Sequence, residues 1–154
     1  MGLDCSHGAW HGGYSSFMRW RQAVAHAAGM PPLEMMEGFH VPLGSGIEHG
    51  VPTLYVSSPT EQDKWRMSRL DEFLPIRWEA LVPDPLHVLL THSDCDGEIA
   101  HELCGPIADR LEAILPNMPE GDGGGHIHDW RETTQRFIDG LRLAAERKEP
   151  LDFH

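Results

Sequence analysis

Three features of this 154-residue chain predict an α+β fold with about four helices and a small sheet. Several stretches repeat apolar residues at helical spacing, above all 130–147. Other apolar runs, such as Leu86–Leu90, are too short for that period and read as strands. The length suits a single compact domain spanning 1–154.

The elements follow in order. Residues 2–6 read as a short strand or extended arm, and Gly12 and Gly13 close the opening block. The spacing predicts a helix over 16–28, with Phe17, Trp20 and Val24 on one face. Gly29 suits its C-terminal end, and Pro31 and Pro32 forbid continuation. From 33 to 56, Gly38, Pro42, Gly44, Gly46, Gly50 and Pro52 interrupt every period, which predicts a long loop with one strand at 53–56. Ser58-Pro59-Thr60-Glu61 is a capping box with proline at the first helical position, so a helix is expected over 59–74.

Leu86–Thr91 reads as a buried strand. A helix over 101–115 follows, with Ile107, Leu111, Ile114 and Leu115 facing the core. Pro116, Pro119 and the glycines of 121–125 mark a flexible loop at 117–128. Asp129-Trp130-Arg131-Glu132 is a capping box with Asp in the leading position, and it opens the helix over 130–147. Residues 151–154 supply a terminal strand. The small sheet is expected to hold 86–91, joined by 2–6, 53–56 and 151–154.

Charge narrows the function. Twenty-four acidic and twelve basic side chains give a net charge of −12. Neutralising phosphates needs clustered Lys and Arg, so general nucleic-acid binding is excluded, and attachment to an anionic membrane is disfavoured. No apolar run is long enough to span a bilayer. No basic region followed by an apolar run opens the chain, and Cys5, Cys95 and Cys104 are an odd number, so a reducing cytoplasm is expected. Neither a Gly-x-Gly-x-x-Gly fingerprint nor a P-loop is present.

Eleven histidines stand against this acidity, and they direct attention to His92–Ile99. Read as a catalytic divalent site, His92, Asp94 and Asp96 are ligands, with Gly97 allowing the tight turn between them. Asp4 and His7 join them if the N-terminal arm pairs beside the 86–91 strand. Read as a calcium loop, Asp94, Asp96, Gly97 and Ile99 match the third, fifth, sixth and eighth EF-hand positions. Read as structural zinc, His92, Cys95, His101 and Cys104 supply four ligands in a compact span. A divalent cation, whether zinc, manganese or calcium, is the expected cofactor. Against all three stands a plain structural role, with Asp94 and Asp96 favouring the start of the next helix and the cysteines filling core space. Arg19 and Arg21, flanked by Tyr14, are candidates to grip a phosphate or carboxylate. His126-x-His128 reads as a surface pair.

His92-x-Asp94-x-Asp96-Gly97 after an apolar run resembles the first motif of the DHH phosphoesterase superfamily, which implies metal ligands at those three positions. No later Asp-His-His triplet accompanies it. The blocks GLDCSHGAWHGGYSSFMRWR, HSDCDGEI with CGPIADRLEAILP, and FIDGLRLAAERKEPLDFH resemble a group of small uncharacterised proteins encoded by bacteriophages and bacteria. That likeness implies an intracellular product and lends no catalytic residues.

Two functions are therefore expected. The first is metal-dependent hydrolysis of a phosphorylated or nucleotide-like small molecule. The second is a non-catalytic, phage-type accessory protein that binds a host protein or a small signal.

Overall fold

The computed structural model describes residues 2–38, 46–48, 51–53 and 76–154. The chain divides into two units, 1–31 with 81–154, and 32–80.

The first unit is α+β. Strands β1 (Leu3–Cys5), β2 (Trp10–Gly12), β5 (Gly97–Ile99) and β6 (Leu151–Phe153) form an antiparallel sheet in the order β2-β1-β6-β5. Helices α1 (Tyr14–Ala27), α2 (Leu86–Thr91), α3 (His101–Ile114) and α4 (Trp130–Arg147) complete it. The expected helices at 16–28, 101–115 and 130–147 and the strands at 2–6 and 151–154 are in place.

Alternation sets the two faces of the sheet. Leu3, Cys5, Trp10, Ile99, Leu151 and Phe153 are buried. Asp4, His11, Glu98 and Asp152 fall between them on the other face. Phe17 and Trp20 of α1 pack with Phe137 of α4, and the Trp20–Phe137 ring centroids are 4.6 Å apart. Trp10 and Phe153 bring the sheet into the same cluster. The Trp20 indole N–H donates to the buried Thr134 hydroxyl at 3.0 Å, so the ring is buried without an unmet donor.

Local chemistry explains the helix ends. The Asp129 carboxylate accepts the N–H groups of Arg131 and Glu132 at 2.9 and 3.0 Å, as the capping box requires. Lys148, in the left-handed region with φ 55°, ends α4. Pro106 lies within α3, which continues through Gly105-Pro106 as one helix.

One element is of the wrong type in the sequence reading. Residues 86–91 form helix α2, not a buried strand. Leu86, Leu89 and Leu90 are buried at helical spacing. The Asp84 carboxylate accepts Leu86 N–H and the Asp84 carbonyl accepts His87 N–H. A run of five apolar-rich residues does not reveal its period, and the Asp84-Pro85 start was the decisive signal. The strand contributed by this region is β5 instead, whose register opposes Glu98 to Asp152.

In the second unit, β3 (Gly46–Glu48) and β4 (Val51–Thr53) form an antiparallel hairpin. It lies in the stretch expected to be mostly loop. Residues 54–56 and the expected helix over 59–74 fall outside the described residues. Backbone bonds of 2.8 Å join Glu37 N–H to the Ile76 carbonyl and Ile76 N–H to the Met35 carbonyl.

Candidate functional site

The β1–β2 hairpin carries the most open chemistry. Its register places Asp4 opposite His11, and directly opposed side chains on one face are within reach. The Asp4 carboxylate accepts a hydrogen bond from His11 Nδ1. An ionised carboxylate only accepts, so in the neutral ring Nδ1 carries the proton and His11 Nε2 keeps its lone pair. The His11 side chain is 84% exposed.

His126 reaches the same place from a short turn, Gly125–Ile127. Gly13 N–H donates to His126 Nδ1 at 3.0 Å. A backbone N–H only donates, so here Nδ1 is the acceptor and the proton of the neutral ring is on Nε2. Glycine makes the approach possible. A Cβ on Gly12 would stand 2.5 Å from His126 Cβ. Gly2, Asp4, His11, Gly12, Gly13 and His126 line a cavity of about 300 Å³. Beside it lies the Trp10 indole N–H, buried and without a hydrogen-bond partner among the described residues. The two histidines of this cavity are thus fixed in opposite tautomers.

The turn after α2 is arranged differently. His92 Nδ1 and Nε2 lie 2.7 and 3.2 Å from the carbonyls of Ser93 and Glu98, and the ring stacks on Phe153 at 4.1 Å. Ser93 donates its hydroxyl to Asp96 at 2.7 Å and accepts Cys95 N–H at 3.3 Å. Asp94 lies 4.0 Å from Arg21. Neither His92 nitrogen points a free lone pair toward Asp94 or Asp96.

The other sequence candidates are dispersed. Asp4 pairs with His11, while His7 Nε2 lies 2.6 Å from Glu149. In the zinc set, Cys95 is exposed and Cys104 is buried. The Cys104 thiol donates to the carbonyls of Ile99 and Ala100, and burial pushes its pKa up. His101 lies 3.2 Å from its neighbour Glu102. Among the described residues, no three His, Cys, Asp or Glu side chains gather as a metal-ligating group. Cys5, next to Asp4 in sequence, is buried. Burial first and the Asp4 charge second push its pKa up to about 12, so it is a neutral core thiol.

The arginines have structural partners. Arg19 donates to the Gly123 carbonyl at 2.6 Å and lies over the Trp130 ring. Arg21 is buried, donating to the carbonyls of Leu90 and His92 at 3.3 and 2.6 Å. Burial pulls its pKa down to about 10, opposed by Asp94. Tyr14 opens α1. None of the three lines the cavity.

Comparison with family models, curated proteins and solved structures finds no match to this chain. No helix among the described residues is long and apolar enough to cross a membrane.

His11 and His126 stand far apart in the chain, so no local pattern pairs them. Asp4 and His11 were partly legible: each alternates with buried Leu3, Cys5 and Trp10, and a hairpin puts them on one face.

Proposed function

We propose that the cavity between Asp4, His11 and His126 is the active site of a small hydrolase that works by acid–base chemistry on an uncharged acyl substrate. The opposed tautomers of the two histidines carry this reading. His11 Nε2 is a base whose ring is oriented by Asp4, placed to take a proton from an attacking water. His126 Nε2–H is a neutral donor, placed to polarise the carbonyl oxygen as negative charge develops there. Such a neutral imidazole stabilises an oxyanion without first releasing its own proton.

The charge of the site favours an uncharged substrate over the phosphorylated one expected from sequence. Asp4 contributes an anion, and the described lining residues include no Lys or Arg. The net charge of −12 also repels anions at long range.

Hydrolysis of small p-nitrophenyl esters tests the proposal. His11→Gln is expected to lower kcat/KM by about 10²–10⁴-fold. His126→Phe should lower kcat by about 10²-fold with the fold intact. Activity in excess EDTA should equal that in buffer. Esterase activity absent from the wild-type chain, equal in His11→Gln, or abolished by EDTA would overturn the reading.

A further inference from the structure

A second catalytic-type constellation lies outside the cavity. Ser6 Oγ is 2.8 Å from His7 Nδ1, and His7 Nε2 is 2.6 Å from Glu149 Oε2. Three elements assemble it. Ser6 and His7 follow β1 directly, in the short turn Ser6–Gly8. Glu149 follows the C-terminal cap of α4, where its N–H donates to the Ala144 carbonyl at 3.0 Å. Asp152 of β6 donates its backbone N–H to Ser6 Oγ at 2.9 Å.

In the neutral His7 ring the hydrogen-bond directions follow from the partners. Glu149 accepts, so His7 Nε2 carries the proton and Nδ1 holds a lone pair. That lone pair faces Ser6 Oγ, so the Ser6 hydroxyl donates to His7 Nδ1 while it accepts the Asp152 N–H. That is a nucleophile, base and orienting carboxylate in sequence, a relay recognised by geometry and not by residue order.

Two further features set it apart from an ordinary surface contact. His7 is held at φ 58°, ψ 19°, in the left-handed region that non-glycine residues seldom occupy. Its side chain is only 7% exposed, so the ring has one fixed orientation. Next to it, Gly8 has open space where a Cβ would be, with nothing within 4 Å. Ser6 itself is half-buried.

We infer that Ser6 is an activated nucleophile that takes up an acyl or phosphonyl group, at a site separate from the Asp4–His11–His126 cavity. In the step, Ser6 Oγ attacks the electrophilic carbon or phosphorus and passes its proton to His7 Nδ1. Glu149 stabilises the imidazolium that forms. The leaving group departs with the bonding pair and takes the proton from His7. With a fluorophosphonate the O–P bond forms, the P–F bond breaks, and hydrogen fluoride is released.

The test uses the full chain and a fluorophosphonate probe, read by intact mass and peptide mapping. The wild-type chain should gain one adduct, on Ser6. Ser6→Ala should gain none. Glu149→Gln should label at least about 10-fold more slowly, with an unchanged melting temperature. It avoids changing His7, whose backbone conformation is unusual. His11→Gln should label at the wild-type rate, so failure of the cavity reading and failure of this inference are distinguishable. No Ser6 adduct at a concentration that labels a serine esterase, an equal rate in Glu149→Gln, or loss of labelling in His11→Gln would overturn the inference.

Discussion

The N-terminal hairpin and the 93–96 turn hold the same kinds of side chain and use them in opposite ways. In the turn, neighbouring residues satisfy one another: Ser93 bonds Asp96, Cys95 N–H bonds Ser93, and both His92 nitrogens face carbonyls. In the hairpin, the polar residues sit on different strands and meet by register. Asp4 occupies one nitrogen of His11 and leaves the other open to a cavity. Residues adjacent in sequence exhaust their donors locally, as Ser and Asp tend to do in turns. Residues brought together over long range keep atoms to spare, and those atoms are what chemistry needs.

The largest test of this contrast concerns what the turn is for. Arg21 is buried beneath it and donates to the Leu90 and His92 carbonyls. Arg21→Met keeps most of the volume but removes those donors. Each unmet buried acceptor costs about 1–3 kcal/mol, so a loss of about 3 kcal/mol is expected in urea unfolding. The esterase activity of the hairpin should survive at temperatures where the variant is folded. A loss below about 1 kcal/mol would mean that Arg21 does not seat the turn.

A smaller effect probes the seat of the hairpin. Gly140 of α4 packs on Ala9, and a Cβ there would stand 2.5 Å from Ala9 Cβ and 2.8 Å from Ala9 Cα. The second contact is backbone, which cannot rotate away. Overpacking of this kind costs up to about 3 kcal/mol. Alanine returns about 1 kcal/mol in helix propensity. Gly140→Ala should therefore lose about 2 kcal/mol in urea unfolding. It should also lower esterase activity, because the displaced segment joins Asp4 to His11. Full activity at full stability would break the link between α4 and the site.

These two seats show which parts of the molecule were legible in sequence. Helix α4 announced itself through Asp129, Glu132 and the spacing of Phe137, Ile138 and Leu141. Helix α2 did not, because six residues permit either period and only Asp84-Pro85 decides. The site was half legible for a related reason. Alternation about Leu3, Cys5 and Trp10 marks Asp4 and His11 as one face. Nothing local joins them to His126, whose place depends on Gly12 lacking a Cβ. The Ser6–His7–Glu149 relay spans most of the chain and depends on α4 ending beside β1. The acidic turn, by contrast, was conspicuous because its residues are adjacent, and adjacency is what ties them to one another.

The smallest expected effect is therefore on the feature that stands out most in the sequence. Asp94 is 40% exposed and 4.0 Å from Arg21, a separation at which solvent screens the pair. Asp96 acts mainly as an acceptor for Ser93, and an asparagine oxygen accepts equally well. The double substitution Asp94→Asn/Asp96→Asn should change stability by about 0.5 kcal/mol, and esterase activity should be unaffected. Zinc, manganese or calcium should leave the melting temperatures of both proteins alike. A metal that raised the wild-type midpoint and not that of the variant would show the turn opening its carboxylates to a cation.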